Sequence, residues 1–496
     1  MELFGEALTF GAAFFLLLAL ALALSFEFVN GFHDTANAVA TVIYTNTLKP
    51  VYAVVWSGCW NLIGVLFSSG AVAYSIVALL PVELVLHAGS GAGFAMIFSL
   101  LVSAIIWNVG TWYLGLPASS SHTLIGSIMG VGVANAMMAG QGWMAGINWE
   151  QAYKIGSALL ISPLVGFFCA GALLLILKFI VRREDLYKAP EGKNPPPLWI
   201  RGLLVLTCTG VSFAHGSNDG QKGMGLIMLI LVGIVPGAFA LNMAADSSMV
   251  QGAATELRQV VSVFTPLTNG TTLSKEDAVK ELSGFVKPGG SKATAQTFAA
   301  IVVEAQSVVD ALGNASDFGS LSRDARTALR TDIYLVDESV GKVLKAKLVT
   351  NKADADALKK DKGDFDKLTK YIPIWVKVVV ALALGCGTMI GWKRIVVTVG
   401  EKIGKAHLTY AQGASAELVA YATIQAADIY GLPVSTTHVL SSGIAGTMAA
   451  NRSGLQKDTL ISILLAWVLT LPVCVFLGAT LFSASLYVTF HILGIH

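Results

Sequence analysis

The chain contains FVNGFHD at residues 28–34 and FAHGSND at residues 213–219, followed by GLPASSSH at residues 115–122 and GLPVSTTH at residues 431–438 respectively. Both related pairs occur in the same order, so the surrounding sequence consists of two copies of one unit. Most of it is apolar: mean hydropathy is +0.67 and 13% of the 496 residues are charged. Long continuous apolar runs predict membrane helices, because lipid leaves backbone polar groups to be paired within the segment.

The predicted fold is therefore an all-α polytopic membrane protein made of two repeats. At ~20 residues per crossing, the apolar runs provide about ten to twelve membrane segments. Residues 243–370 differ in character, since they hold roughly half of the charged residues and place apolar residues at helical spacing. We interpret them as a mostly helical, water-exposed insertion, with a disordered linker as the alternative. The predicted domains are 1–200 (first repeat and connecting loop), 201–242 (start of the second repeat), 243–370 (hydrophilic insertion) and 371–496 (remainder of the second repeat).

Basic residues in short loops predict how the two repeats lie in the membrane. The loops 182–201 and 392–407 are rich in Lys and Arg and are predicted to be cytoplasmic. Their counterparts in the first copy, the N-terminal tail and residues 81–92, contain neither residue. Equivalent loops then lie on opposite sides, which is the inverted-topology repeat typical of secondary transporters. The same parity places the insertion outside.

Several classes of protein are disfavoured by composition and by missing motifs. A net charge of +2 gives no sign of a nucleic-acid partner. The five cysteines show no CxxC spacing, which argues against a metal cluster or a disulfide framework. The chain has neither a Walker A motif nor a Gly-x-Ser-x-Gly elbow, so we expect neither ATP-driven transport nor an enzyme.

Polar residues in the first repeated motif interrupt apolar sequence. A charged group in the bilayer interior is costly and should face a partner or a wet cavity. Gly31 and Gly216 are expected to break their helices and expose backbone N–H groups that bind anions. Helix capping and hydrogen bonds between helices are the alternative. The candidate residues are Asn30, Asp34, Asn37, Asn218, Asp219 and Gln221.

In the second repeated motif a proline precedes three hydroxyl residues. This pattern predicts a helix start, where hydroxyls and free N–H groups form a neutral set of donors. Such donors suit a tetrahedral oxyanion that must also be released, whereas hydrogen bonding between helices is the alternative. The residues are Ser119, Ser120, Ser121, Ser435, Thr436 and Thr437. Groups that titrate near neutrality, or lie in apolar sequence, are candidate proton carriers: His33, His122, His215, His438 and Glu417.

Together these motifs resemble those of the inorganic phosphate transporter (PiT) family, especially its bacterial low-affinity branch. The resemblance covers essentially the whole membrane portion. It implies about twelve membrane segments in two inverted halves with broken or re-entrant helices, placed in the bacterial inner membrane. It also implies symport of phosphate with protons, the phosphate travelling as a neutral complex with a divalent metal. Sodium-coupled relatives have an acidic residue in place of Asn61, and many relatives have an amide in place of Lys222.

The resulting hypothesis is a proton-coupled phosphate importer without a tightly bound cofactor. Asp34 and Asp219 would bind the coupling cation or the metal, oriented by Asn30 and Asn218. The six hydroxyl residues, with Asn37 and Gln221, would bind phosphate. A sulfate permease of the same fold and a receptor or sensor are the rival functions. A homodimer is left open, because the sequence does not fix the oligomeric state.

Overall fold

The computed structural model is almost entirely helical. It describes residues 2–80, 90–190, 192, 194–287, 292–313 and 317–492, and the side chains of 35–37 and 361–366 lie outside this description. The N-terminal residues form a short antiparallel hairpin, β1 (Glu2–Leu3) and β2 (Glu6–Ala7).

The helices of the first repeat are α1 (Phe10–Tyr44), α2 (Pro50–Phe67), α3 (Ala71–Val77), α4 (Gly91–Tyr113), α5 (Ser120–Met138) and α6 (Trp149–Ile180). Those that follow are α7 (Leu198–Ile234), α8 (Pro236–Phe239), α9 (Ser247–Phe264), α10 (Lys275–Val286), α11 (Ala295–Gly313), α12 (Arg323–Lys345) and α13 (Lys352–Thr369). The chain continues with α14 (Ile374–Met389), α15 (Lys393–Glu401), α16 (Tyr410–Ile429), α17 (Thr436–Ala450) and α18 (Lys457–Tyr487).

Among the described residues, six helices are long and apolar enough to cross a membrane: α1, α2, α4, α6, α7 and α18 with the turn that extends it. The pair α14 and α15, bent by 63°, makes a possible seventh. This count is below the ten to twelve segments predicted. Three further helices do not meet this standard: α17 has only 15 residues, and α5, α16 and α17 all carry polar and small residues along their length.

The predicted helix breaks at Gly31 and Gly216 are wrong, since α1 and α7 run unbroken through both motifs. These glycines instead allow close crossing of helices. A Cβ atom at Gly31 would lie 2.3 Å from the carbonyl oxygen of Leu384 in α14, and one at Gly216 would lie 2.1 Å from that of Asn61 in α2. Equivalent glycines thus bring equivalent helices against the opposite repeat.

Packing between the repeats is reciprocal. Helix α5 packs against α18 and α6 packs against α17, while the equivalent helices α2 and α14 pack against each other. Two matching glycines mark these contacts: a Cβ atom at Gly130 would lie 2.1 Å from the Val475 oxygen, and one at Gly446 would lie 2.0 Å from the Phe167 oxygen. Each repeat therefore completes the helix packing of the other.

The chain divides into two compact units, one of which includes residues 228–371. In this unit helices α9–α13 surround an apolar core of their own. The residues spaced at helical intervals in the sequence, Val336, Val340 and Val343, lie in that core. The other unit contains residues 18–80, 94–227 and 372–496, and with them both copies of the two repeated motifs.

Candidate functional site

Two aspartates from the repeated helical motifs meet at the start of α5. The hydroxyl oxygen of Ser120 lies 3.1 Å from Oδ2 of Asp34 and 3.3 Å from Oδ2 of Asp219. All three side chains are buried. Asp34 is on α1 and Asp219 is on α7, so one serine hydroxyl connects the two copies of the motif.

Both hydroxyl motifs begin a helix, as their prolines predict. The Ser119 side chain caps α5 by accepting from the His122 amide at 3.2 Å, and Ser435 caps α17 by accepting from the His438 amide at 3.1 Å. The same chemistry therefore sets the two helix starts in the same register.

The remaining hydroxyls of these motifs divide between the aspartates and the backbone. Thr437 donates to Oδ1 of Asp34. Ser121 donates to the Val434 carbonyl oxygen at 2.9 Å and so connects α5 to the segment before α17. The Thr436 hydroxyl is buried and has no hydrogen-bond partner among the described residues.

His215 faces the aspartate pair. Its Nε2 atom lies 3.5 Å from Oδ2 of Asp219 and 3.8 Å from Oδ2 of Asp34. One ligand atom each from Asp34, His215 and Asp219 lies within 4.8 Å of the other two, a spacing that fits a metal ion. His215 was predicted only as a proton carrier, and the structure adds it to the aspartates.

A chain of hydrogen bonds determines which ring nitrogen of His215 carries the proton. The Thr388 hydroxyl donates to the Leu384 oxygen at 2.9 Å, so it accepts from Nδ2 of Asn61, also at 2.9 Å. Asn61 then presents Oδ1 to Nδ1 of His215 at 3.0 Å, which makes Nδ1 the protonated nitrogen. In a neutral ring Nε2 therefore presents a lone pair to two carboxylates, an arrangement that a proton or a metal cation would relieve.

Lys222, noted in the sequence because it replaces an amide found in many relatives, completes the cluster. Its Nζ atom lies 2.6 Å from Oδ2 of Asp219 and 3.1 Å from the Ser120 hydroxyl oxygen. Its side chain is fully buried. The signal available in the sequence was a lysine three residues after Asp219, one helical turn away on the same face.

Two further acidic residues with partners in this region, Glu27 and Asp428, were not among the residues predicted from the sequence. Glu27 is fully buried on α1, and its Oε2 atom accepts from Asn30 at 3.4 Å. A Cβ atom at Gly223 would lie 2.2 Å from Cγ of Glu27, so the glycine leaves room for the glutamate side chain beside α7. A single glutamate between two phenylalanines of an apolar run was the overlooked signal.

Two predicted ligands lie on α7 but bind other parts of the protein. Asn218 donates to the Leu432 oxygen at 3.1 Å and accepts from the Val434 amide at 3.4 Å. Gln221 donates to Oδ1 of Asp428 at 2.5 Å and accepts from the Val72 amide at 2.9 Å. The structure therefore brings neither amide to the aspartate pair. Asn37, also predicted, has a side chain outside the described residues.

The other proton-carrier candidates surround the cluster or lie apart from it. His33 has Nδ1 3.6 Å from Oδ1 of Asp34 and Nε2 3.1 Å from the Thr111 hydroxyl oxygen. The rings of His122 and His438 are 4.7 Å apart. Glu417 is fully buried elsewhere, where the hydroxyls of two threonines hold its carboxylate.

Residues 30–478 match the model of the phosphate transporter family. The chain belongs to this family. Its relatives include the low-affinity inorganic phosphate transporters PitB and PitA of Escherichia coli (strain K12), which are 45% and 43% identical. Each comparison covers 95% of this chain and 96% of the relative. This confirms the resemblance seen in the motifs, and it makes the chain a member of a family of transporters rather than of enzymes.

The fold of this phosphate transporter family member is similar to that of one solved structure, "The sodium-dependent phosphate transporter". The TM-score is 0.51 at 17% identity, and the comparison covers 95% of this chain and 98% of the solved one. At that identity the likeness concerns the fold alone, and the ions that this chain uses must be argued from its own residues.

Proposed function

We propose that this protein imports inorganic phosphate across a bacterial inner membrane by symport with protons, the phosphate travelling as a complex with a divalent metal. Family membership and the names of the Escherichia coli relatives support phosphate as the substrate. The six candidate membrane helices support a multi-pass membrane protein.

One observation carries the cation part of the proposal: acceptor atoms of Asp34, His215 and Asp219 converge in a buried site. Two carboxylates and an imidazole lone pair repel one another unless a cation lies between them. A divalent metal fits such oxygen and nitrogen ligands, and a proton on His215 serves the same purpose. Asn30 and Asn218 act indirectly. Asn30 donates to Glu27, and Asn218 donates to the Leu432 oxygen in the segment before α17.

Phosphate binding is assigned to the hydroxyl groups at the starts of α5 and α17. Ser120 and Thr437 donate to the aspartates, and Thr436 has an unused hydroxyl. Exchange of an aspartate oxygen for a phosphate oxygen keeps each donor satisfied. Because protonated phosphate is also a donor, the nearby carboxylates accept its O–H group, whereas sulfate offers none at neutral pH.

All of these groups are nearly inaccessible to solvent, so ions reach them only when the surrounding helices move. The inverted-repeat architecture supplies such a movement, and the reciprocal packing of α5 on α18 and α6 on α17 supports it. Residues 243–370 form a soluble domain in this proposal, which their separate apolar core supports. The domain limits remain those predicted from the sequence.

Anion competition in proteoliposomes tests the proposal. Uptake of labelled phosphate should be inhibited strongly by arsenate, which has the same shape and protons, and barely by excess sulfate. Removal of divalent metal should lower the initial rate. Thr436→Val should weaken phosphate uptake and its inhibition by arsenate together, while Ser127→Ala, which removes a hydroxyl that among the described residues bonds only the Thr123 oxygen, should have little effect. Equal competition by sulfate and arsenate would disprove selection of a protonated oxyanion.

A further inference from the structure

Lys222 introduces an ammonium group at one of the two aspartates. Of the lysines and arginines that the structure describes, it alone is buried. We propose that this ammonium is a permanent, tethered replacement for an exchangeable cation at Asp219, so that an ion taken from solution is bound by Asp34 and His215 and not by Asp219. The inference rests on the proposed function and removes Asp219 from its cation assignment.

The contacts of Lys222 are those of a bound cation. Its Nζ atom lies 2.6 Å from a carboxylate oxygen of Asp219 and 3.1 Å from the Ser120 hydroxyl oxygen. It is also within electrostatic reach of the buried Glu27 carboxylate. An ammonium group presents three donors on a flexible stem, and here two of them meet acceptor oxygens, one on α7 and one on α5.

The two repeats differ at this position. The alignment that matches Asp34 with Asp219 also matches Asn37 with Lys222, three residues further along each helix. The first repeat thus has a neutral amide where the second has a fixed positive charge. Two carboxylates in equivalent places therefore differ in their need for a cation, because only Asp219 has one supplied by the chain.

Because Asp219 is buried, the presence or absence of Lys222 determines whether its carboxylate needs a cation from solution. An unpaired carboxylate in a buried site is strongly unfavourable, so Asp219 without Lys222 would have to recruit a cation from water. An ammonium attached to α7 cannot be released on either side of the membrane. The Asp219 carboxylate therefore contributes no ion to the transport stoichiometry.

The test uses Lys222→Asn, which gives the second repeat the residue type of the first, and Lys222→Gln, whose amide fills more of the ammonium's space. Phosphate uptake into proteoliposomes is measured in choline, Na⁺, Li⁺ and K⁺ salts at fixed pH. Lys154→Asn, an exposed lysine on α6, is the matched control. Melting temperatures of the purified full-length variants in the same salts provide a readout of cation binding that does not depend on transport.

We expect wild-type and Lys154→Asn proteins to transport equally in all four salts. Lys222→Asn or Lys222→Gln should lose at least ten-fold in choline and regain at least five-fold in one small cation, which should also raise its melting temperature. Lys222→Arg, which keeps a charge, should show no cation dependence.

Three results would overturn the inference: wild-type rates of Lys222→Asn in choline, loss of uptake with no response to any cation, or failure of both amide variants to fold in every salt. Each would leave phosphate uptake by the wild-type protein intact. Failure of the wild-type protein to take up phosphate would instead refute the proposed function itself.

Discussion

Nδ1 of His215 lies 3.0 Å from Oδ1 of Asn61, on a helix of the opposite repeat. This contact fixes the ring so that its other nitrogen faces both aspartates. Asn61 therefore acts as a positioning residue, touching neither carboxylate while setting the protonation and direction of the imidazole between them.

Removal of this acceptor should disturb coupling more than stability. Asn61→Leu frees His215 to rotate or to change its tautomer, so we expect at least a ten-fold loss of initial phosphate uptake and a shifted pH profile. Thr388→Val, which removes the hydroxyl that accepts from the Asn61 amide nitrogen and donates to the Leu384 oxygen, should have a smaller effect. Unchanged uptake and pH profile in Asn61→Leu would remove the positioning role.

The aspartates should be indispensable for transport. Asp34→Asn and Asp219→Asn should each abolish phosphate uptake, because each deletes a charge from the buried cluster, while both variants remain inserted in the membrane. Uptake assays with matched protein amounts check this. Asp458→Asn, at an exposed aspartate in the first turn of α18, should transport normally. Substantial uptake in either variant would return that aspartate to a purely structural role.

The resemblance to the family implied that the two repeats meet, and the repeated motifs do meet where Ser120 lies beside Asp34 and Asp219. The family, the all-helical fold and the helix starts at Ser119 and Ser435 could be predicted, because each rests on a sequence pattern with a single structural interpretation. The absence of helix breaks could not be predicted, because a glycine in a polar motif is compatible both with a break and with a close helix crossing. Gly31 and Gly216 serve the crossing. The Lys222–Asp219 pair depends on which face α7 turns inward, and the sequence pattern does not determine this where the helix is buried on all sides, as it is over residues 214–231.

In the insertion, Glu304 makes stability dependent on pH. Burial, and secondarily the neighbouring Asp332 carboxylate, raise the pKa of Glu304 from its usual 4.5 to about 8. The folded state thus holds a proton that the unfolded state releases. Its stabilising effect is complete below the unfolded pKa and is lost as pH rises through about 8.

Glu304→Gln should remove this dependence, because glutamine keeps the shape without the charge. We expect slower proteolysis of residues 243–370 in the variant than in wild type at pH 8.5, and little difference at pH 5. The ratio of the two rates at each pH cancels the protease's own pH dependence. Glu276→Gln, at an exposed glutamate, provides the control. A ratio independent of pH would show that Glu304 is ionised in the folded protein.

Inverted repeats predict on which side of the membrane three loops lie. In a background without the native cysteines, of which Cys59, Cys169 and Cys386 are exposed, a cysteine at Arg183 or Lys402 should be labelled only from the cytoplasm. A cysteine at Lys287 should be labelled from outside. Labelling of position 183 or 402 from outside would be inconsistent with opposite orientations of the two repeats.

The proton gradient tests the central claim most directly. Wild-type protein and Asp34→Asn are reconstituted in proteoliposomes, and phosphate uptake is recorded at one external pH with the interior either equally acidic or more alkaline. Proton symport predicts transient accumulation of phosphate above equilibrium only with the alkaline interior, abolished by a protonophore and absent in Asp34→Asn. Wild-type uptake that proceeds at the same rate and to the same level with and without the gradient would contradict it.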